Sequence, residues 1–383
     1  MQIVLKLEQY VEQAEQKGIS KSVIADKTGL SIYQLNHLIR NDSAKIDRRN
    51  LAKFCSFLVD EGLEDRSELP AVLFASKPDE FWAMLSGCHT IELCMGVRRD
   101  NHWHDKVVIA ADSMIQANVL YRLTEFGRNT NQKRQRQIID QSLVPTWQVN
   151  GVDETNIQQE AESRYEAFLR KKGDRAIICF GSMKSNPIIE LSVAGCFKDT
   201  KPFESQDNVP VVNKRTCPFL FIYRPDDSHP PSCCGGLKLS DNEASEGPGI
   251  YYEDAKGEWI RAACDENSDV ALVFYRFDIA RGQHDVVLGG YSGRGTRCLA
   301  EYLRHKGADE FWPPIISRDG LEIGVYIVQF NFRPDGRKTQ NPDAMDQHVS
   351  KTTVTPLSEK VLEPRAKLPK QSHSQKASRT KAR

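Results

Sequence analysis

From residue 81 onward the chain alternates short apolar runs with stretches of helical period, and few folds accommodate that alternation. The runs are TIELCMGV (90–97), KVVIAA (106–111), AIICFG (176–181), PFLFIY (218–223), VALVFYRF (270–277), DVVLGG (285–290) and IGVYIVQF (323–330). Helical periods fall at 113–126, 154–171, 185–196 and 292–306. Short apolar strands between helices predict an α/β fold, Rossmann-like, with a mostly parallel sheet covered on both faces. The stretch 224–262 is rich in Gly, Pro, Ser and Asp, and predicts loops and a hairpin but no central strand.

A length of 383 residues predicts two or three domains. Residues 1–65 read as helices throughout, by apolar period and by caps, and predict a separate all-α domain. A connector follows at 66–80, then the α/β domain at 81–335. Residues 336–383 show no periodic pattern and carry Lys351, Lys360, Arg365, Lys367, Lys370, Lys376, Arg379, Lys381 and Arg383. That composition predicts a disordered basic tail. The formal net charge is zero, so any nucleic-acid contact must be local and patterned. The amphipathic, charged N-terminus lacks the apolar run of a signal peptide, and no stretch has the length of a membrane span. A soluble, cytoplasmic protein with no membrane partner is expected. The ten cysteines form no CxxC, so free thiols are expected and structural zinc is not.

The segment Lys21 to Arg40 carries the chemistry of two short helices that cross closely. Ser20 and Ser31 are N-caps, Ala25 is small enough for the crossing, and Gly29 tolerates positive φ at the tight turn. Leu35 and Leu38 turn one apolar face inward. The string IADKTGLSIYQLNHLIRND resembles the Cro/C1-type (XRE-like) helix-turn-helix family of transcriptional regulators. The resemblance implies that the helix from Ile32 enters the major groove of double-stranded DNA. Tyr33, Gln34, Asn36, His37 and Arg40 would then reach base edges, with Gln34 foremost because it sits in the first turn. Ser31 would support that helix end, and Lys45, Arg48 and Arg49 suit phosphate contacts. A homodimer is expected, because one recognition helix reads too few base pairs for genomic specificity.

Two stretches place glycine between a strand and a helix. In the first, Gly181 is followed by Ser182, Lys184, Ser185 and Asn186; in the second, Gly290 is followed by Ser292, Gly293, Arg294, Gly295 and Thr296. Helix N-termini bind anions, and glycine lets the backbone approach them closely. Neither stretch is a P-loop, and GYSGRG misses the dinucleotide fingerprint in register, so no cofactor is named. Two such turns at strand ends predict one pocket for an anionic or nucleotide-like small molecule. GSMKSNP, DVALVFYRF and VVLGGYSGRGT followed by AEYL, within residues 175–305, are similar to a C-terminal domain of prokaryotic regulators. The resemblance implies a ligand-sensing module, Rossmann-like by analogy of fold, and names no ligand.

An enzyme would need a carboxylate at that pocket, and Asp112 and Glu190 are the candidates. Each also has a plain role, Asp112 as a helix N-cap and Glu190 as a solvated helix residue. His102, Trp103 and His104 read as a solvated loop, and the pair Cys233 and Cys234 as incidental. The expectation is therefore a DNA-binding transcriptional regulator with a sensor domain, with no catalytic residue and no metal assigned. The alternative is a nucleotide-processing or defence-associated enzyme that carries a helix-turn-helix targeting domain.

Overall fold

The computed structural model describes residues 3–5, 7–39, 47–64, 66, 69, 74–76, 80–99, 106–129, 137–147, 154–171, 173–227, 230–242, 245–318, 320–333 and 349–368. Among the described residues the N-terminal unit contains the helices α1 (Leu7–Gln16), α2 (Lys21–Thr28), α3 (Ile32–Ile39) and α4 (Arg48–Asp60). Their apolar faces meet in one core built from Leu7, Tyr10, Ile24, Ala25, Leu35, Leu38, Phe54 and Leu58. Ser20 caps α2, and Gly29 ends it in the left-handed conformation at φ 61°. Lys53 closes the turn from α4 by donating to the Gly29 carbonyl at 3.2 Å. Strand β1 (Ile3–Leu5) pairs antiparallel with β2 (Phe74–Ser76). Glu8 and Glu12 on α1 reach Arg281 of the larger domain at 2.9 and 2.8 Å.

The larger domain is built on a nine-stranded sheet. One half is parallel: β5 (Ile138–Pro145), β3 (Thr90–Arg99), β6 (Arg175–Phe180) and β12 (Gln283–Gly290). The other half is antiparallel: β11 (Ser268–Asp278) against β12, then β14 (Leu321–Phe332), which pairs with β13 (Ile316–Arg318) and β15 (Val349–Pro356). The short β4 (Lys106–Val108) also runs antiparallel, beside the end of β3. The sheet is thus mixed, and the expectation of a mostly parallel, Rossmann-like sheet is corrected. The physical reason is burial on both faces. Every residue of β11 and of β12 is buried, so neither strand shows the alternation that marks an antiparallel strand with one wet face.

On one face lie α5 (Phe81–Ser86), α6 (Ala110–Asn129) and α9 (Gly293–Lys306). On the other lie α7 (Glu154–Leu169), α8 (Ile188–Cys196) and a second, four-stranded sheet. That second sheet has the order β10 (Trp259–Ala263), β9 (Gly249–Glu253), β7 (Phe219–Ile222), β8 (Gly235–Gly236). PFLFIY therefore forms a strand, but in the smaller sheet. The hairpin expected within 224–262 is β9 and β10. Among the described residues no helix is long and apolar enough to cross a membrane.

The expected disordered tail is corrected over residues 349–366. Strand β15 pairs with β14 from Val349 to Pro356, and Ser358 caps α10 (Glu359–Arg365). Leu357, Val361, Leu362 and Ala366 are buried, and Arg365 pairs with Glu253 at 2.5 Å. Thr352 to Thr355 are β-branched, and an edge strand exposed on one side carries no apolar period of its own. The basic count concealed that run. Residues 336–348 and 369–383 of the expected tail lie outside the described residues.

Candidate functional site

Strands β6 and β12 are parallel neighbours, with Leu288 beside Phe180, so both glycine turns emerge at one end of the sheet. Gly181 leaves β6 at φ +94°. Ser185 Oγ accepts the Ser182 N–H at 2.8 Å and folds the loop into a tight turn. Asn186 anchors it, donating to the Cys94 carbonyl at 3.0 Å and accepting the Ile188 N–H at 3.3 Å. In the second turn the Gly290 N–H donates to Thr296 Oγ1 at 2.9 Å, and Ser292 caps α9. The turns touch: a Cβ on Gly289 would lie 1.8 Å from the Gly181 carbonyl oxygen. Similarly, a Cβ on Gly96 would lie 1.5 Å from the Ser185 carbonyl oxygen, so β3 packs under the first turn.

Together these turns wall a cavity of about 200 Å³. Of the residues expected at a shared pocket, Gly181, Ser182, Lys184, Ser185, Gly290, Ser292, Gly293 and Thr296 line it. Three do not. Asn186 is fully buried beneath the first turn. Gly295 packs on β11, where a Cβ would meet the Val270 carbonyl at 2.8 Å. The Arg294 guanidinium turns away, bonding Asp269 at 3.3 Å, the Ser268 carbonyl at 2.8 Å and the Asp265 carbonyl at 2.6 Å, 4.2 Å over the Phe332 ring. It holds α9 to β11 and offers no charge to the cavity.

The lining that sequence reasoning missed includes Tyr291, within the second turn itself, and residues from elsewhere in the chain: Arg98 at the end of β3, Ile109 before α6, and Tyr223, Arg224 and Asp227. The distant five carry no local signal, because only the sheet order brings them to the two turns. Lys184 lies 3.3 Å from Asp227 and 5.1 Å from the centre of the Tyr223 ring.

Asp112 also lines the cavity. It lies in the first turn of α6, inside the helix, and is 2% exposed. Its Oδ2 has no hydrogen-bond partner among the described residues, so the expected N-cap role is corrected. The carboxylate rests on Gly181: a Cβ there would lie 2.9 Å from Oδ2 and 3.2 Å from Oδ1. Burial pushes the Asp112 carboxyl from 3.8 up to about 7, against a smaller downward pull from Arg98. A carboxyl of that acidity can hold or release a proton near neutral pH.

Glu190, expected on a wet helix face, is 1% exposed. The loops at Phe203 and at Ser232 to Cys234 close over it. Its Oε2 accepts the N–H groups of Cys233 and Phe203 at 2.8 and 3.3 Å, and Ser232 donates to Oε1.

On the N-terminal unit, Tyr33 is 77% exposed and Gln34 is also exposed, while Asn36 and His37 are half-buried. Gln34 and Ser31 form a reciprocal cap. Ser31 Oγ accepts the Gln34 N–H at 3.1 Å, and Gln34 Oε1 accepts the Ser31 N–H at 2.9 Å. Gln34 thus has a structural task that competes with base reading. Arg48 and Arg49 are exposed at the start of α4, whose cap is Asp47. Arg40, Lys45, His102, Trp103 and His104 lie outside the described residues. A scan of family models, a search of curated proteins and a search of solved structures each find no match to this chain.

Proposed function

We propose that this chain is a sequence-specific DNA-binding regulator whose larger domain binds a phosphate-bearing small molecule between its two glycine turns. The observation that carries the ligand reading is the meeting of Gly181–Ser185 and Gly290–Thr296 in one cavity edged by Arg98, Lys184 and Arg224. The 14-residue helix α9 starts at its rim with Gly293. A helix N-terminus favours an anion by about 0.3–1 kcal/mol, and each charge-assisted hydrogen bond adds about 1.5–3 kcal/mol. The cavity's volume suits a phosphate with part of a sugar, leaving the remainder of a nucleotide at the mouth. The short, glycine-turned pair α2 and α3, with an exposed face around Tyr33, supports the DNA reading; binding to an inverted repeat by a homodimer is part of it.

Thermal shift of the full chain against pyrophosphate, ATP and NAD tests the ligand reading. A melt raised by at least one of them is expected. Gly293→Val should abolish the rise without unfolding the chain, because a Cβ there meets only Ala111 Cβ, at 3.9 Å. If no anion raises the melt, or Gly293→Val responds as wild type does, the reading is wrong.

One observation favours a second reading, an enzyme acting on the same ligand. Asp112 reaches the cavity as a buried carboxyl with an unused oxygen and an acidity near neutral. It is placed to take a proton from water or give one to a leaving group. A ligand found by thermal shift and left with the chain would then be consumed, and Asp112→Asn would bind it without consuming it. A ligand recovered unchanged supports the sensor.

A further inference from the structure

Beneath the cavity, in the layer between α8 and the small sheet, a second group of side chains stands apart from the proposed function. Cys217 precedes β7, Cys233 and Cys234 precede β8, and Glu190 lies in the first turn of α8. The three thiols and the carboxylate are all buried, at 0–2% exposure. We propose that Glu190, Cys233 and Cys234 supply three ligands of a tetrahedral site for a thiophilic divalent metal ion, zinc by its chemistry, with the fourth position open to an exogenous ligand.

The distances fit. Cys233 and Cys234 Sγ are 3.9 Å apart, and Cys234 Sγ lies 3.5 Å from Glu190 Oε1. A tetrahedron with Zn–S of about 2.3 Å and Zn–O of about 2.0 Å has edges of about 3.8 Å between sulfurs and about 3.5 Å from sulfur to oxygen. The ligand atoms of Glu190, Cys233 and Cys234 all lie within 4.8 Å of one another. Glu190 is also oriented as a ligating carboxylate should be: Oε1 faces the thiols while Oε2 is fixed by the Cys233 and Phe203 N–H groups.

Spacing alone did not reveal this, because the ligands come from two separate stretches and include no CxxC. The binding step is simple in its balance. The ion displaces the thiol protons, which pass to solvent, and no oxidant is required. The consequence is structural. Strand β8 has only two residues, and a metal would fasten it to α8. Strand β8 pairs with β7, and Tyr223, directly after β7, lines the cavity, so the ion would also steady one of its walls.

The test is the metal content of the full chain purified without chelator, followed by refolding with and without cobalt(II). About one equivalent of zinc per chain is expected. Cobalt should give an intense thiolate-to-metal charge-transfer band and tetrahedral visible bands. Cys234→Ser should lose the metal, whereas Cys298→Ser, on the opposite face of the sheet, should keep it. If Cys234→Ser fails to fold, the wild type decides. A chain that contains no zinc, refolds equally without metal and gives no charge-transfer band overturns the proposal.

Discussion

The N-terminal helical unit and the glycine cavity differ in how far apart along the chain their parts lie. In the first, Ser20, Ala25, Gly29, Ser31, Leu35 and Leu38 fall within one short stretch, and each does locally what its residue type favours. In the second, Arg98, Asp112, Gly181, Tyr223 and Gly290 come from five elements, and only the strand order joins them. Locally encoded structure should tolerate single changes with small losses. A site assembled by packing should fail abruptly where backbones touch.

The largest effect is expected where the two turns meet. Gly289→Val puts a side chain onto the Gly181 carbonyl, and should cost more than about 4 kcal/mol or prevent folding of the larger domain. Chemical denaturation followed by tryptophan fluorescence measures this; a loss below about 1 kcal/mol would show that the turns are not packed as described. Truncation after residue 333 should come next. It removes β15 and α10, and with them the burial of Leu357, Val361 and Leu362 at about 1.5–3 kcal/mol each. An unchanged melting temperature would mean that these residues do not dock.

The charge state of Asp112 gives a smaller effect with a definite sign. Its folded acidity, about 7, is raised above the ordinary 3.8. The folded chain therefore holds the proton more tightly. The stabilisation is full below pH 4, declines as pH rises, and is gone above about 7. Asp112→Asn should thus match wild type at pH 4 and exceed it at pH 8, by at most roughly 4 kcal/mol. Equal stability at both pH values would place the carboxylate in water. The same sign governs the ligand. Sulfate, whose charge is constant over this range, should bind more weakly as pH rises through 7, because an ionised Asp112 repels it.

The smallest effect belongs to the local region. Ser31→Ala removes one half of a reciprocal cap and should cost about 1 kcal/mol, read as a modest fall in melting temperature. A loss several times larger would show that α3 depends on more than its own caps.

These contrasts also explain what could be read from sequence. The helical unit was legible because caps and glycine turns act within a few residues. Both glycine turns were legible for the same reason. Strand direction was not, since β11 and β12 are buried on both faces and look alike in either orientation. Asp112 and Glu190 were visible as residue types, but their burial was not, because it depends on Gly181 in one case and on the loop at Cys233 in the other. Strand β5 was missed: half of it is exposed, and its Asp140, Gln141 and Ser142 interrupt the apolar pattern.

The central claim, specific DNA recognition through α3, is tested most directly by selecting random duplexes with the full chain. The account predicts enrichment of an inverted repeat whose preference at single base positions relaxes with Asn36→Ala and whose affinity falls for every sequence with Arg48→Ala. A folded chain that enriches no sequence, or whose Asn36→Ala variant enriches the same repeat with unchanged preference, would contradict it.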